Sequence, residues 1–206
     1  DRRDAEKVHA KMNRDAPMNQ LQVVILGCGY TGRRVAARLL GRGIPVLATT
    51  RNPSKLVDLA SQGAKVSRLE VLELETLERL RDLAPPRAWL LHSIPVIDTE
   101  QGPIDPTPRL LEAFQGRIAR IVYLSTTGVY GMADRVDETT PALPASEREW
   151  LRMDAERAVA AGSWSSIILR PAAIYGPGRG VHESIRLGRY RLAGDGDNFV
   201  SRIHVE

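Results

Sequence analysis

Residues 22–40 read QVVILGCGYTGRRVAARLL, and this stretch decides the fold. A short apolar run is followed by Gly27, Gly29 and Gly32 in the spacing G-x-G-x-x-G, and apolar residues then recur with a helical period. A strand that turns sharply into a helix presents the first N–H groups of the helix, and the positive end of its dipole, to an anion. The stretch therefore predicts a strand, a phosphate-binding turn and a helix.

Each glycine has its own role in such a turn. Gly27 permits the tight turn, Gly29 lets the backbone approach a pyrophosphate, and Gly32 allows the helix to pack closely on the strand. Tyr30 and Thr31 lie between the last two glycines and are expected to bind the same pyrophosphate. The turn in this context predicts a dinucleotide-binding site.

Outward from this stretch, apolar runs rich in Val, Ile and Leu alternate with segments of helical period, which predicts an α/β protein with a doubly wound parallel sheet, the NAD(P)-binding Rossmann fold. The predicted strands are Gln22 to Leu26, Pro45 to Thr50, Ala64 to Leu69, Ala88 to His92, Arg120 to Ser125 and Ser166 to Arg170. The predicted helices are Thr31 to Arg42, Pro53 to Ser61, Leu74 to Leu83, Thr107 to Phe114 and Glu147 to Ala161.

The organisation along the chain follows from the same pattern. Residues 1–19 are polar and predict a flexible lead-in, residues 20–180 a dinucleotide-binding domain, and residues 181–206 the start of an incomplete substrate-binding region. The proline-containing stretches 94–108 and 134–146 predict surface loops near the carboxyl ends of strands, where such folds bind ligands.

The residues after the second predicted strand favour NADP over NAD. An NAD site carries an acid there for the ribose 2′-hydroxyl, whereas this chain has Arg51, whose guanidinium suits a 2′-phosphate. Asn52 and Lys55 follow and are included in the expected site, and Glu70 is expected to accept from the adenine amino group. The alternative is that Arg51 is a solvated residue and that the cofactor is NAD.

Composition excludes several other classes of function. The net charge is +4, but the basic residues are scattered rather than clustered, which argues against nucleic-acid binding. One cysteine and four histidines without ligand spacing predict no metal site. No apolar run approaches the roughly 18 residues of a membrane span, and the N-terminus lacks a secretory pattern, so we expect a cytoplasmic protein without membrane contact.

Three later segments add a family resemblance: LSTTGVYG at 124–131, LRPAAIYGPGR at 169–179 and IHVE at 203–206. Together with the glycine turn they resemble the extended and atypical short-chain dehydrogenases, the NAD-dependent epimerase/dehydratase family. The resemblance assigns the catalytic hydroxyl to Thr126, with Ser125 beside it. It also implies ribose contacts from Ser93 and Ile94, and nicotinamide contacts from the segment that contains Pro171, Ala172 and Ile174.

The chain departs from that family on the helix after the fifth predicted strand. The family carries a Tyr there as proton donor and a Lys four residues later, and this sequence has Arg148 and Arg152 at those positions. An arginine stays protonated at neutral pH and cannot replace the Tyr, although Arg152 could still bind ribose hydroxyls or a phosphate. Either another residue such as Tyr130 or Tyr175 supplies the proton, or the domain binds the dinucleotide without turning it over.

Two functional hypotheses follow from these observations. The first is an NADP-dependent oxidoreductase or epimerase-like enzyme that transfers a hydride to or from a small, sugar-nucleotide-like substrate. The rival is a non-catalytic NADP-binding regulator or redox sensor, which the two arginines favour. The family resemblance also implies a homodimer through the helices at 107–114 and 147–161.

Overall fold

A six-stranded parallel sheet forms the centre of the molecule, as the sequence predicts, in a computed structural model that describes residues 22–192, 194–196 and 200–206. The predicted lead-in at 1–19 lies outside the described residues. The strands of the sheet are β1 (Val23–Leu26), β2 (Val46–Thr50), β3 (Lys65–Arg68), β4 (Ala88–His92), β7 (Ile118–Leu124) and β8 (Ser165–Leu169).

The order of the sheet is β3-β2-β1-β4-β7-β8, and each neighbouring pair is parallel. The chain builds outward from β1 in one direction, then returns to β4 and builds outward in the other. The order therefore reverses between β1 and β4, and a crevice opens at their carboxyl ends, which is where doubly wound folds bind ligands.

Helices cover both faces of the sheet and are α1 (Tyr30–Leu40), α2 (Val57–Ser61), α3 (Leu74–Leu83), α4 (Thr107–Ala113), α5 (Glu147–Ala161) and α6 (Val181–Arg186). The cap of α5 is a capping box, in which Ser146 accepts from the Glu149 N–H and the Glu149 carboxylate accepts from the Ser146 N–H. A 3₁₀ turn at Pro53–Leu56 precedes α2, so the single helix predicted at 53–61 is two short pieces.

Alternate residues of the strands supply two separate cores. Val24 and Leu26 of β1 pack in the cluster that also holds Leu80, Phe114 and Val159, from α3, the end of α4 and α5. The opposite face holds Ile25 in a cluster with residues of α1 and α2. This alternation makes β1 fully buried, and the strand therefore fixes the glycine turn that follows it between two packed layers.

The region 94–108, predicted to be a surface loop, contains an antiparallel hairpin of β5 (Ile97–Thr99) and β6 (Gly102–Ile104). Strand assignment from sequence failed here because each strand has only three residues and β6 contains a proline, which cannot donate to a ladder. A second short sheet pairs β9 (Ala173–Tyr175) with β10 (Arg202–His204), which overlap two of the segments that carry the family resemblance. Among the described helices, none is both long and apolar enough to cross a membrane.

Candidate functional site

The turn between β1 and α1 can only be made with glycine at its key positions. Gly27 has a φ of +79°, and a Cβ atom there would lie 2.7 Å from the Cγ1 atom of Ile94. A Cβ atom on Gly32 would lie 3.0 Å from the Cγ2 atom of Ile25, so this glycine lets α1 approach β1. At Gly29, the residue that precedes α1, the nearest atom to such a Cβ is the Gly27 carbonyl oxygen at 3.9 Å, so this side of the turn is open.

Two hydroxyl groups from neighbouring strands hold the turn in place. The Thr49 hydroxyl at the end of β2 accepts from the Gly27 N–H at 3.1 Å and donates to the Ile25 carbonyl at 3.0 Å. The Ser93 hydroxyl after β4 donates to the Gly27 carbonyl at 2.7 Å. The first N–H groups of α1 have no partner within the helix, so the turn presents preorganised donors to an anion.

A cavity of about 450 Å³ opens beside this turn, at the carboxyl ends of β1 to β4. Of the predicted site residues, the cavity brings together Gly27, Gly29, Arg51, Glu70, Ser93 and Ile94. Its other lining residues were not predicted from the sequence and are Cys28, Thr49, Thr50, Leu69, Val71, Leu72, Pro95, Ile97 and Asp98. Most of them follow a strand of the sheet. Because doubly wound folds bind ligands at the carboxyl ends of their strands, this position along the sequence could have identified them.

The three polar residues predicted after β2 have different environments. Arg51 is exposed and lines the cavity. Asn52 has a structural contact, because its side-chain oxygen accepts from the Ser54 N–H at 3.1 Å. Lys55 is exposed, lies outside the residues that line the cavity, and offers its backbone carbonyl to Arg33. Arg51 is therefore the cationic side chain that the structure brings to this end of the cavity.

Cys28, inside the turn, is a packing residue. Its side chain belongs to the core between the sheet and α1, and burial raises the pKa of its thiol to about 11. A helix N-terminus can lower the pKa of a cysteine, but here the loss of solvation has the larger effect. The thiol is thus protonated at neutral pH.

A second cavity, of about 330 Å³, lies on the other side of the turn. Its lining residues are Thr31, Leu124, Leu169, Arg170, Pro171, Ile174, Ile203, His204 and Val205. Three predicted site residues, Thr31, Pro171 and Ile174, meet here, whereas Ala172 lies between the last two in sequence and does not line the cavity. Residues of the turn and of the first turn of α1 thus line both cavities, Gly27 and Gly29 the first and Thr31 the second.

Tyr30 links the turn to the segment that closes the second cavity. Its hydroxyl donates to the Pro177 carbonyl at 3.0 Å. The guanidinium carbons of Arg34 and Arg179 lie 4.0 and 5.2 Å from the centre of its ring. Arg34 also pairs with Glu206, so the end of the chain is attached to α1. These contacts give Tyr30 a role in packing that the sequence analysis did not anticipate.

The residues predicted for catalysis follow β7 but line neither cavity. The Thr126 hydroxyl accepts from the Gly128 N–H at 3.1 Å and begins the 3₁₀ turn at Thr127–Tyr130. The Ser125 hydroxyl is buried and has no hydrogen-bond partner among the described residues. Tyr130 packs under Arg170, whose guanidinium carbon lies 5.0 Å from the centre of its ring.

The two arginines of α5 both reach protein groups. Arg148 donates to the Val96 carbonyl at 2.9 Å and pairs with Asp98. Arg152 is buried and donates to the carbonyls of Ile94 at 3.2 Å and Leu124 at 3.1 Å. The prediction that Arg152 binds ribose is not tested by these contacts and stays a prediction.

Arg152 also belongs to a buried polar network beside the cavities. It pairs with Asp105 at 2.9 Å and donates to the Tyr123 hydroxyl at 2.6 Å. The His92 Nε2 atom lies 2.8 Å from the Thr107 hydroxyl oxygen. Burial lowers the pKa of His92 to about 4, so this histidine is neutral at physiological pH. Burial also raises the pKa of Tyr123, whose hydroxyl therefore stays protonated.

The residues of this site suit an elongated, anionic ligand rather than a metal ion. Preorganised N–H donors lie at the centre, an arginine lies at one end, and a mainly apolar cavity lies at the other. Within the described part of the chain, no three His, Cys, Asp or Glu side chains are grouped as a metal ion would require.

Comparisons with known proteins agree with this geometry. A family model described as NAD(P)H-binding matches residues 27–205. The dTDP-6-deoxy-L-talose 4-dehydrogenase (NAD(P)(+)) of Kitasatospora kifunensis is 31% identical over 194 residues, which are 84% of this chain and 59% of that enzyme. The chain thus spans about three fifths of the length of this curated relative.

Two solved structures extend the comparison. A functionally unknown conserved protein from Silicibacter pomeroyi DSS is 31% identical, with a TM-score of 0.69, over 90% of this chain and 64% of that one. MoeE5, solved in complex with UDP-glucuronic acid and NAD, is 26% identical, with a TM-score of 0.70, over 90% of this chain and 68% of that one.

Proposed function

The chain belongs to the NAD(P)H-binding family, and we propose that it binds NADP and transfers a hydride between that cofactor and a small, sugar-nucleotide-like substrate. One observation carries the proposal. A turn that requires glycine at position 27 opens into a cavity that Arg51 also lines. The turn is suited to a pyrophosphate, and the arginine is suited to the additional phosphate of NADP.

The residues around the first cavity would hold the adenosine half of the cofactor. Gly29 leaves the open side of the turn free for the pyrophosphate, and the first N–H groups of α1, at Tyr30 and Thr31, would donate to it. Leu69, Val71 and Leu72 give the cavity an apolar wall suited to the adenine ring, with the Glu70 carboxylate available to its amino group.

Selectivity for NADP over NAD is the finer part of the proposal. The residues at the end of β2 are Thr49, Thr50 and Arg51, so no carboxylate there repels a 2′-phosphate. Arg51 can form a bidentate contact with that phosphate, and Lys55 adds a positive charge nearby.

The second cavity would hold the reacting half. The bound cofactor would donate a hydride from C4 of its nicotinamide ring as NADPH, or accept one there as NADP⁺. Thr31, Pro171 and Ile174 provide a mainly apolar surface for that ring. Thr126, which follows β7, is the residue that we propose to bind the reacting oxygen of the substrate.

The substrate class is proposed from the relatives. The Kitasatospora kifunensis enzyme acts on a dTDP-linked deoxysugar, and MoeE5 was solved with UDP-glucuronic acid. We propose residues 20–180 as the cofactor domain and residues 181–206 as the start of a substrate-binding region. The proposal extends to a homodimer through α4 and α5, as the family resemblance implies. It also includes the cytoplasmic location expected from the sequence.

Calorimetric titration with NADPH and NADH tests the cofactor. We expect NADPH to bind at least about tenfold more tightly than NADH, which is about 1.4 kcal/mol, and Arg51→Ala to remove most of that preference. Arg42→Ala is the matched control, because it removes the same charge from an exposed position after α1, outside both cavities. Equal affinity for both nucleotides in the wild type would contradict the assignment of NADP.

A second candidate function is supported by the arginines of α5. Arg148 and Arg152 are engaged with protein groups at the positions where the family resemblance expects a proton donor and its lysine. The alternative proposal is therefore a regulator or redox sensor that binds NADP without turning it over. Stopped-flow absorbance with NADPH and a panel of sugar nucleotides separates the two functions, because only the enzyme oxidises the nicotinamide.

A further inference from the structure

Two arginines on one face of α5 reach the same segment of chain. This segment, residues 94–105, consists of the β5–β6 hairpin with three residues before it and one after it, and we call it the cavity hairpin. Arg152 contacts both of its ends, the Ile94 carbonyl and the Asp105 carboxylate. One helical turn earlier, Arg148 contacts the Val96 carbonyl and Asp98.

The cavity hairpin is also a wall of the first cavity. Ile94, Pro95, Ile97 and Asp98 line that cavity. Ile94 packs so closely on Gly27 that its side chain occupies the space of the missing Cβ. A displacement of the hairpin away from α5 would therefore open the cavity and loosen the glycine turn together.

We propose that Arg148 and Arg152 form a clamp that holds the cavity hairpin closed over the nucleotide, and that they set nucleotide affinity without touching the nucleotide, in place of the ribose contact predicted for Arg152. They are positioning residues that act through Ile94 and its neighbours. The identity of the ligand rests on the proposed function, whereas the clamp itself is a property of the free protein.

The two arginines contribute unequally. The side chain of Arg152 is 10% exposed and that of Asp105 is 3% exposed, so their pair is protected from solvent screening. Arg152 also donates to the Leu124 carbonyl and thereby ties the hairpin to β7. The Arg148 and Asp98 side chains are 48% and 80% exposed, and exposed pairs of this kind contribute little. Arg152 is the main part of the clamp.

A substitution at Asp105 can distinguish the clamp from direct contact between Arg152 and the nucleotide. It lines neither cavity, yet it binds Arg152 through its Oδ2 atom. Its Oδ1 atom accepts from the Thr107 N–H at 2.9 Å, and Asn can keep that bond. Asp105→Asn therefore weakens the clamp without substituting any residue that lines either cavity.

Hydrogen exchange of the free, full chain tests the clamp without a ligand. We expect amide exchange in residues 94–105 to rise at least about tenfold in Arg152→Lys and Asp105→Asn, and about threefold in Arg148→Gln. Lysine keeps the charge but loses the guanidinium fork that bridges four groups. The matched control is Arg157→Gln on the same helix, whose exposed pair with Asp154 lies outside both cavities and should leave exchange at the wild-type rate.

Calorimetric titration with NADPH gives the functional readout. Affinity should fall about tenfold in Arg152→Lys and in Asp105→Asn, and the double variant should be no weaker than either single variant, because both changes release the same contact. If Asp105→Asn fails to fold, Arg152→Gln/Asp105→Asn replaces it, since that variant removes both buried charges.

The outcomes separate the clamp from its alternatives. If Asp105→Asn keeps wild-type exchange and affinity while Arg152→Lys binds NADPH weakly, Arg152 is a nucleotide ligand and the clamp is wrong. If exchange in residues 94–105 is unchanged in every variant, the clamp is also wrong. If the wild type binds neither nucleotide, the proposed function fails, and the exchange experiment still decides the clamp.

Discussion

The proposed site has two halves, and they differ in whether their hydroxyl groups have hydrogen-bond partners. Around the glycine turn, which we call the nucleotide half of the proposed site, the Thr49 hydroxyl of β2 and the Ser93 hydroxyl after β4 both bind the turn. After β7, in what we call the reaction half, the buried Ser125 hydroxyl has no partner among the described residues, and Arg152 stands where the family resemblance implies a lysine. The two hydroxyls of the nucleotide half are thus bonded, and the Ser125 hydroxyl of the reaction half is not.

This difference follows from what each task requires of the chain. A phosphate site can be built from backbone N–H groups and a turn. It therefore requires glycine at the positions where the turn has no room for a side chain. A reaction site requires particular side chains at particular distances, and side chains can be exchanged while the fold is kept. The nucleotide half should therefore tolerate the fewest substitutions, and the reaction half should respond mainly in its chemistry.

Gly27→Ala should give the largest loss of stability and of NADPH affinity. A small loss would contradict the expectation that the nucleotide half tolerates the fewest substitutions. The new Cβ meets Ile94 at 2.7 Å in a backbone conformation that favours glycine, at a cost of roughly 2–3 kcal/mol in the free energy of unfolding. We expect NADPH affinity to fall about 100-fold, or about 2.7 kcal/mol, because the turn itself must move. Urea unfolding and calorimetry measure the two quantities.

Gly43→Ala is the control for that substitution. Gly43 also has a positive φ, +72°, but nothing lies within 4 Å of its Cβ position. It should lose only about 1 kcal/mol of stability and keep wild-type affinity for NADPH. Similar losses of affinity in both variants would mean that general destabilisation, rather than the geometry of the turn, controls nucleotide binding.

His92 provides a test of intermediate size. Burial holds its pKa at about 4 in the folded protein, whereas an exposed histidine has a pKa of about 6.5. The unfolded state therefore takes up the proton first as the pH falls, and stability present above pH 6.5 is lost towards pH 4. Between pH 7 and pH 5 the free energy of unfolding should fall by about 2 kcal/mol from this group.

The control is His92→Gln, which keeps a polar side chain at the end of β4 without a titrating group. Its free energy of unfolding should change less between pH 7 and pH 5 than that of the wild type, by the same 2 kcal/mol or so. Equal pH dependence in the two proteins would mean that another group titrates, and that the network around Thr107 is open to water.

The two halves also differ in what the sequence could predict. The glycine turn, the six parallel strands and Arg51 at the end of β2 were all accessible, because each follows from backbone constraints or from position along the chain. The hairpin at 97–104 was predicted to be a loop, since three-residue strands carry no periodic signal. The contacts of Arg152 could not be predicted, because they join groups from three separate segments of chain.

Ser125→Ala should give the smallest effect on stability, and it tests directly whether the hydroxyl groups of the two halves differ in their bonding. The Ser125 hydroxyl is buried without a partner among the described residues, so its removal should leave stability unchanged or raise it by up to about 1 kcal/mol. Ser93→Ala, the matched control in the nucleotide half, breaks a 2.7 Å bond to the turn and should cost roughly 1–2 kcal/mol. Thermal and urea unfolding compare the two variants. A loss of stability in Ser125→Ala as large as that in Ser93→Ala would mean that this hydroxyl is paired after all and that both halves are equally complete. A stable Ser125→Ala protein that binds NADPH normally but oxidises it more slowly would instead assign the free hydroxyl to the substrate, beside Thr126.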